Sequence, residues 1–190
     1  MRYYIFPGSF KPPHKGHIKI LINIIKKQKN KDFKIIIIIS KKGRKLNNKT
    51  KKIVSAQQSL KIFKIYINEL NKNFKLNNNI KVSISKKSSP LLNIYPIIKK
   101  INKKSNKVFL IKSKKDKNNK RFDMFSRIKN LKVMPFKELK DFHSTNFRKV
   151  IYDKNMDLVK KYILNNISKD NLSKIFSILK LRTNLRRKIM

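Results

Sequence analysis

Five consecutive isoleucines, at positions 35–39, place the tightest constraint on how this chain can fold. A segment that is apolar and β-branched at every position predicts a strand buried on both faces, as in the middle of a parallel sheet. Four further strands are predicted from shorter apolar or alternating segments, at residues 3–6, 80–84, 108–111 and 131–134. The chain therefore contains the strands of one five-stranded sheet.

Helical patterns and polar segments separate the predicted strands. Helices are predicted at residues 16–28, from Ser55 to about 70, at 90–101 and at 122–128, and polar loops at 41–52 and 112–120. After the last strand the pattern is helical, with a break near Ser168 and Lys169. Strands that alternate with helices predict an α/β fold, with a parallel sheet and helices on both faces. Ligands bind such sheets at the carboxyl ends of the strands, where the strand order reverses.

Length and composition restrict the class of protein. The chain has 190 residues, which fits one ordinary domain. It contains no cysteine, which excludes a disulfide framework and a zinc-thiolate site and favours a cytoplasmic location. No apolar segment approaches the roughly 20 residues needed to cross a bilayer, and the first residues lack the zones of a secretory signal. No membrane partner is expected.

The formal net charge is +42, from 51 basic and 9 acidic residues. Such a charge would by itself suggest a nucleic acid or an anionic membrane surface as partner. Lysine, however, is dispersed over every segment together with isoleucine and asparagine, whose codons are rich in A and T. Coding bias therefore explains the charge as well as function does, and nucleic-acid binding is kept as an alternative that is not favoured.

Glycine and histidine are rare in this chain, so their positions are informative. At a typical usage of ~7%, a chain of this length would contain about a dozen glycines, whereas this one contains three. We expect both residue types to persist where no other side chain works. The three glycines and three histidines of the chain are Gly8, Gly16, Gly43, His14, His17 and His143.

The strongest signal follows the first predicted strand, where residues 7–17 read P-G-S-F-K-P-P-H-K-G-H. This segment leads into a predicted helix, whose N-terminus offers unpaired N–H groups and the positive end of a dipole to a phosphate. Gly8 lets the backbone come close to a ligand. His14 and His17 are three residues apart, so they face the same side of the helix and could donate to the oxygens of one phosphorus centre.

This segment resembles the signature of the HxGH nucleotidylyltransferases, which include nicotinamide mononucleotide adenylyltransferases, phosphopantetheine adenylyltransferases and small cytidylyltransferases. A second element supports the resemblance, since S-T-N-F-R at residues 144–148 is similar to the S-T-x-x-R at the start of a late helix in those enzymes. The chain departs from the family at His143, where Ser or Gly is more frequent. The resemblance implies a Rossmann-like, doubly wound domain over residues 1–150, with residues 151–190 as C-terminal helices that pack on it or extend it.

The resemblance also implies roles for individual residues. His17 would steady the transition-state oxygens, His14 would contact the triphosphate, and Arg148 would counter the charge of the β and γ phosphates. Ser9 would orient the acceptor phosphate. Nucleotide binding is implied for the remaining motif positions, which are Gly8, Ser9, Phe10, Gly16, Ser144 and Thr145.

Weaker signals lie between the two motifs. Related enzymes keep a basic residue after the second strand that binds acceptor or triphosphate oxygens, and Lys42 is the preferred candidate here, with Arg44 as the alternative. An ordinary solvated loop fits this segment equally well. Residues 55–60 and 114–122 resemble segments of the phage and large-virus members of the family. Asp116 and Asp123 stand out among few acids, but surface positions are favoured for both and no protein metal site is expected.

The resemblance implies an enzyme that transfers a nucleoside monophosphate from a nucleoside triphosphate to a small phosphate-bearing acceptor and releases pyrophosphate. Few carboxylates lie in the motif loops, so Mg²⁺ is expected to be held mainly by the oxygens of the nucleotide. ATP is favoured slightly over CTP, while the acceptor and the oligomeric state stay open. The alternatives are a basic nucleic-acid-binding module and a catalytically inactive relative that only binds nucleotide.

Overall fold

The computed structural model describes residues 1–28, 32–102, 105–113, 120–136 and 142–181. Its strands are β1 (Arg2–Gly8), β2 (Phe33–Ile39), β3 (Arg44–Lys45), β4 (Ile53–Val54), β5 (Ile80–Ile84), β6 (Lys107–Ser113) and β7 (Leu131–Phe136). Its helices are α1 (Lys15–Lys26), α2 (Ala56–Phe74), α3 (Pro90–Ile101), α4 (Ser144–Tyr152), α5 (Met156–Tyr162) and α6 (Lys169–Ile178), with a 3-10 helix at Lys120–Phe125.

Five strands form one parallel sheet in the order β5-β2-β1-β6-β7. From β1 the chain moves outward through β2 to β5, then returns to β6 on the other side of β1 and continues to β7. The strand order therefore reverses between β1 and β6, which is where ligands bind in sheets of this kind. The predicted Rossmann-like, doubly wound fold is confirmed.

The isoleucine run lies in β2, which is hydrogen-bonded to β1 on one side and to β5 on the other. Successive side chains of a strand point to opposite faces of the sheet. Accordingly, Ile37 belongs to one hydrophobic cluster and Ile38 to the other. The run is apolar throughout because the strand is covered by helices on both faces.

The two hydrophobic clusters show which helices cover each face. The larger cluster contains Leu21 of α1, Phe63 of α2, Phe147 of α4 and Phe176 of α6. The smaller cluster lies on the opposite face and is formed with α3 and the 3-10 helix, whose Phe125 is buried. The C-terminal helices therefore pack into the same core as α1 and α2.

Some local predictions were wrong in detail. The segment at residues 41–52 is not entirely a loop, since β3 and β4 form an antiparallel ribbon within and beside it and Leu46 N–H donates to Lys52 O at 3.0 Å. The helix expected at 122–128 is a 3-10 helix that begins at Lys120. These elements are too short for a periodic pattern to reveal them.

The last strand and the C-terminal helices agree more closely with the sequence. β7 includes Pro135, which is tolerated because β7 is an edge strand of the sheet. The predicted break near Ser168 is confirmed, since the Ser168 side chain caps the N-terminus of α6. Within the described ranges, no helix combines the length and the apolar character that a membrane span requires.

Candidate active site

The first motif joins the end of β1 to the start of α1, at the reversal of strand order. His14 is the N-cap of α1, and its Nδ1 accepts a hydrogen bond from Gly16 N–H at 3.2 Å. His17 reaches back, and its Nδ1 accepts from His14 N–H at 3.2 Å. The two histidines thus form a reciprocal capping box. Each Nδ1 accepts from a backbone N–H group that a helix start would otherwise leave unpaired, and these hydrogen bonds fix the orientation of both imidazoles.

This geometry determines the protonation state of the imidazoles. An Nδ1 that accepts a hydrogen bond carries no proton, so each neutral ring has its proton on Nε2, as a donor. Burial, together with the neighbouring His14, holds the pKa of His17 well below its usual range. The ring centroids of His14 and His17 are only 3.8 Å apart. His17 therefore offers an N–H donor at Nε2 without a positive charge, directly beside the His14 ring.

Phe10 supports His17 from the core. Its side chain is buried, and its ring centroid lies 5.0 Å from that of His17 and 5.1 Å from that of Phe63. A Cβ on Gly8 would come within 2.6 Å of the Phe10 ring. A glycine is therefore needed at position 8 for packing, apart from any approach of a ligand, because only a residue without a side chain leaves room for the Phe10 ring.

Gly16 is constrained in a similar way. A Cβ at this position would lie 3.0 Å from the His14 ring and 3.3 Å from Phe142 Cβ. A side chain here would press on the imidazole that caps α1. The glycine of the H-x-G-H sequence is therefore needed for the close seating of His14.

The second motif opens α4 and meets the first across the sheet edge. Arg148 Nη1 donates to Lys11 O at 3.0 Å, and its Nη2 donates to Thr145 Oγ1 at 3.1 Å. Arg148 is separated from Lys11 by 137 residues, so this contact is purely tertiary. Burial, with a smaller effect of Arg44, lowers the pKa of Arg148.

Both motifs line one small cavity of about 100 Å³. His14, Gly16 and His17 form one wall, and His143 and Ser144 form another. His143 is the N-cap residue of α4 but makes no side-chain capping bond. Residues of the two motifs that are far apart in the sequence therefore line the same cavity.

A family model for cytidylyltransferase-like proteins matches residues 5–169, a range that contains both motifs and the whole sheet beyond the start of β1. The chain belongs to the cytidylyltransferase-like family. The match supports a nucleotidyltransferase activity in general terms. No curated protein sequence matches the chain at a significant level.

Solved structures share the fold of this cytidylyltransferase-like chain. Nicotinic acid mononucleotide adenylyltransferase from Plasmodium falciparum, complexed with NaAD, has a TM-score of 0.60 at 15% identity and covers 95% of this chain and 98% of its own. A bifunctional NMN adenylyltransferase/ADP ribose pyrophosphatase from Francisella tularensis has a TM-score of 0.62 at 18% identity, over 94% of this chain and 51% of its own. At these identities the similarity concerns the fold.

The structure separates the two basic candidates after β2. Lys42 and Arg44 are both exposed, and the charge of Arg44 in β3 contributes, after burial, to lowering the pKa of Lys11 and of Arg148. The charge of Arg44, the alternative candidate, therefore acts on both motifs of this cytidylyltransferase-like site. Asp123 is exposed, as expected, and Asp116 lies outside the described residues.

Two features of the site could not be read from the sequence. Lys11 is completely buried beneath the first motif, although no pattern distinguishes it among so many lysines. Tyr162 of α5 stacks on Phe147 at 4.8 Å and meets the His14 ring edge-on at 6.4 Å. The C-terminal helices therefore contribute directly to the surroundings of His14.

A larger cavity lies elsewhere in the described part of the chain. It has a volume of about 1020 Å³ and is formed by the β3–β4 ribbon, the start of α2 and the ends of α4 and α6. None of the predicted site residues lines it, and it borders Leu181, where the described residues end. Convergence of chemical groups identifies the smaller cavity as the candidate site.

Proposed function

We propose that this protein is a nucleotidylyltransferase that transfers a nucleoside monophosphate, preferably AMP, from a nucleoside triphosphate to a phosphate-bearing acceptor. The observation that carries the proposal is the hydrogen bond from Arg148 to Lys11 O, because it joins the late motif to the loop that holds both histidines. Imidazole N–H donors and a guanidinium are groups that suit the oxygens of a polyphosphate.

The reaction is a direct in-line displacement. An oxygen of the acceptor phosphate attacks the α-phosphorus, the bond from the α-phosphorus to the bridging oxygen breaks, and pyrophosphate leaves with that electron pair. The acceptor oxygen is already an anion, so no side chain has to remove a proton and no covalent enzyme intermediate forms. Catalysis then depends on positioning and on stabilising the charge of the transition state.

Each motif residue has a distinct part in this scheme. The His17 Nε2–H donates to the oxygens of the α-phosphorus, and the His14 Nε2–H donates to the bound triphosphate. Arg148 and Arg44 counter the charge of the β and γ phosphates, which Ser144 and Thr145 bind as hydrogen-bond donors. Ser9 orients the acceptor, while Gly8, Phe10 and Gly16 shape the loop; Lys42 remains available for the acceptor phosphate at the exposed edge.

In this proposal, Mg²⁺ is held by the phosphate oxygens of the nucleotide. The described ranges contain no group of three or more histidine, cysteine or acidic side chains that could hold a metal ion. The residues at the site are imidazoles, hydroxyls and cations, which suit phosphate oxygens, whereas Mg²⁺ prefers oxygen ligands such as carboxylates. The cation would therefore arrive on the phosphate oxygens of the substrate.

Replacing His17 tests the proposal. We expect His17→Ala to lower the turnover by about 100-fold or more, because one donor to the transition state is lost. The measurement is pyrophosphate release from each of four nucleoside triphosphates with nicotinamide mononucleotide, nicotinate mononucleotide or phosphopantetheine as the acceptor. The same panel tests the preference for ATP over CTP.

His17→Gln provides the matched control for folding. A glutamine at this helix position can still accept from His14 N–H and keeps the capping box, while the imidazole is lost. We expect it to be as stable as the wild type and as impaired as His17→Ala. Full activity in either variant would contradict the role of His17, and no activity of the wild type on any substrate would favour an inactive nucleotide-binding relative.

A further inference from the structure

Lys11 occupies an unusual position for a lysine. Its side chain is completely buried, and Nζ donates to two backbone carbonyls, Ser9 O at 3.0 Å and Ser40 O at 2.7 Å. Its own carbonyl accepts from Arg148 at 3.0 Å. One residue therefore joins the first motif, the end of β2 and the late motif.

Burial of an ammonium group needs compensation. Neither hydrogen-bond acceptor of Nζ is a carboxylate, so both partners are neutral. Two N–H donors would be enough for the two carbonyls, and an uncharged amine can supply them. The third proton, and with it the positive charge, is not required by the hydrogen bonds that hold the side chain.

The surroundings of Lys11 oppose its charge in the absence of a ligand. Arg44 comes from the ribbon and Arg148 from α4, and neither His14 nor His17, at the start of α1, supplies a negative charge. Desolvation, and then the charge of Arg44, lowers the pKa of Lys11 to about 8. An anion placed among these groups would reverse the balance, because it would stabilise every cation around it.

We propose that Lys11 is a positioning residue of the triphosphate site, which holds the two motifs together and supplies a buried third positive charge when the nucleotide binds. This inference rests on the proposed function. In this inference, the negative charge of the bound nucleotide compensates the positive charges of Lys11, Arg44 and Arg148. A consequence follows from linkage: nucleotide binding raises the proton affinity of Lys11, so the complex takes up a proton from solution.

The direction of the pH effect is determined by the pKa of Lys11. Below about pH 8 the free protein already carries the proton, whereas above it the nucleotide must bind together with a proton. The affinity for the nucleotide is therefore expected to fall as the pH rises from 7 to 9. Proton uptake is expected to be about 0.1 per nucleotide at pH 7 and to approach about one half at pH 8.

The number of protons taken up per bound nucleotide is measured by calorimetric titration in buffers of different ionisation enthalpy. The full chain is titrated with MgATP and, in parallel, with MgCTP. The variant Lys11→Met keeps the volume of the side chain but cannot gain a charge. We expect it to take up no proton and to bind about tenfold more weakly at pH 7, with a smaller difference at pH 9. Lys41→Met, which removes an exposed charge next to Ser40, should behave as the wild type.

The possible results are distinguishable. Equal proton uptake in the wild type and Lys11→Met would overturn the inference and leave the proposed function intact. If the wild type binds neither nucleotide, both the inference and the proposed function fail. If Lys11→Met does not fold, the wild type alone decides, because a constant uptake between pH 7 and pH 8 would overturn the role of Lys11.

Discussion

Gly8 and Phe10 show how closely individual residues of the first motif depend on one another. Phe10 has a positive φ of 50° and turns its ring back over Gly8, against Phe6 and Phe63. The ring then supports the imidazole of His17. A residue type that the sequence analysis connected with nucleotide binding is thus also required by packing beneath the site.

Gly8→Ala is predicted to destabilise the protein by about 1–3 kcal/mol, because the new Cβ would overlap a buried ring. Denaturation by urea measures the change. Gly43→Ala is the control and should lose less stability, since its Cβ would lie 3.0 Å from the end of Ile53, a side chain that is 52% exposed, and no closer than 3.3 Å to the backbone at Val54 O. An equal loss in both variants would argue against the packing of Phe10 on Gly8.

At the scale of elements, the start of α2 links the first half of the chain to the last helix. Ser55 and Gln58 form a capping box, as the sequence led us to expect for the Ser55 N-cap. The Gln58 amide also donates to Ile178 O at 2.7 Å, at the end of α6. One side chain therefore stabilises a helix start and a tertiary contact together.

Gln58→Ala is predicted to lower the free energy of unfolding by about 1–2 kcal/mol, because it removes two hydrogen bonds. The adjacent Gln57 is exposed, so Gln57→Ala should change stability by about 0.5 kcal/mol or less. Thermal or urea unfolding of both variants provides the comparison. Similar values for the two would mean that the contact with α6 contributes little.

At the scale of the molecule, the C-terminal helices complete the core. Val159, Ile163, Ile175 and Leu179 are buried in the cluster that contains α1 and α2, and Tyr162 touches the His14 ring. A boundary near residue 150 would cut through this cluster. We therefore infer that the two predicted parts of the chain form one cooperative unit.

Truncation tests this inference. A chain of residues 1–150 is predicted to lose its cooperative unfolding transition, since Phe147 and its neighbours would lose their cover. A chain of residues 1–181, which keeps every described helix, should unfold cooperatively. Calorimetry of both chains decides the question, and a sharp transition of the shorter one would show that residues 1–150 fold independently.

The net charge of +42 also belongs to this scale. It is spread along the whole chain, and the described salt bridges include only exposed or half-exposed pairs such as Lys160 with Asp157. Surface pairs of this kind contribute little to stability. At the site, by contrast, Lys11, Arg44 and Arg148 gather cationic groups at one point, which only the folded chain can do.

The sequence by itself determined the fold class and the two motifs, because both are encoded locally. A β-branched run specifies a doubly buried strand, and the spacing of two histidines at a helix start specifies their common face. The contact of Arg148 with the first motif, the electrostatic effect of Arg44 on both motifs and the burial of Lys11 were decided only by the tertiary structure. Burial and electrostatic neighbours arise from contacts between residues far apart in the chain, and no local pattern distinguishes a buried lysine from a solvated one.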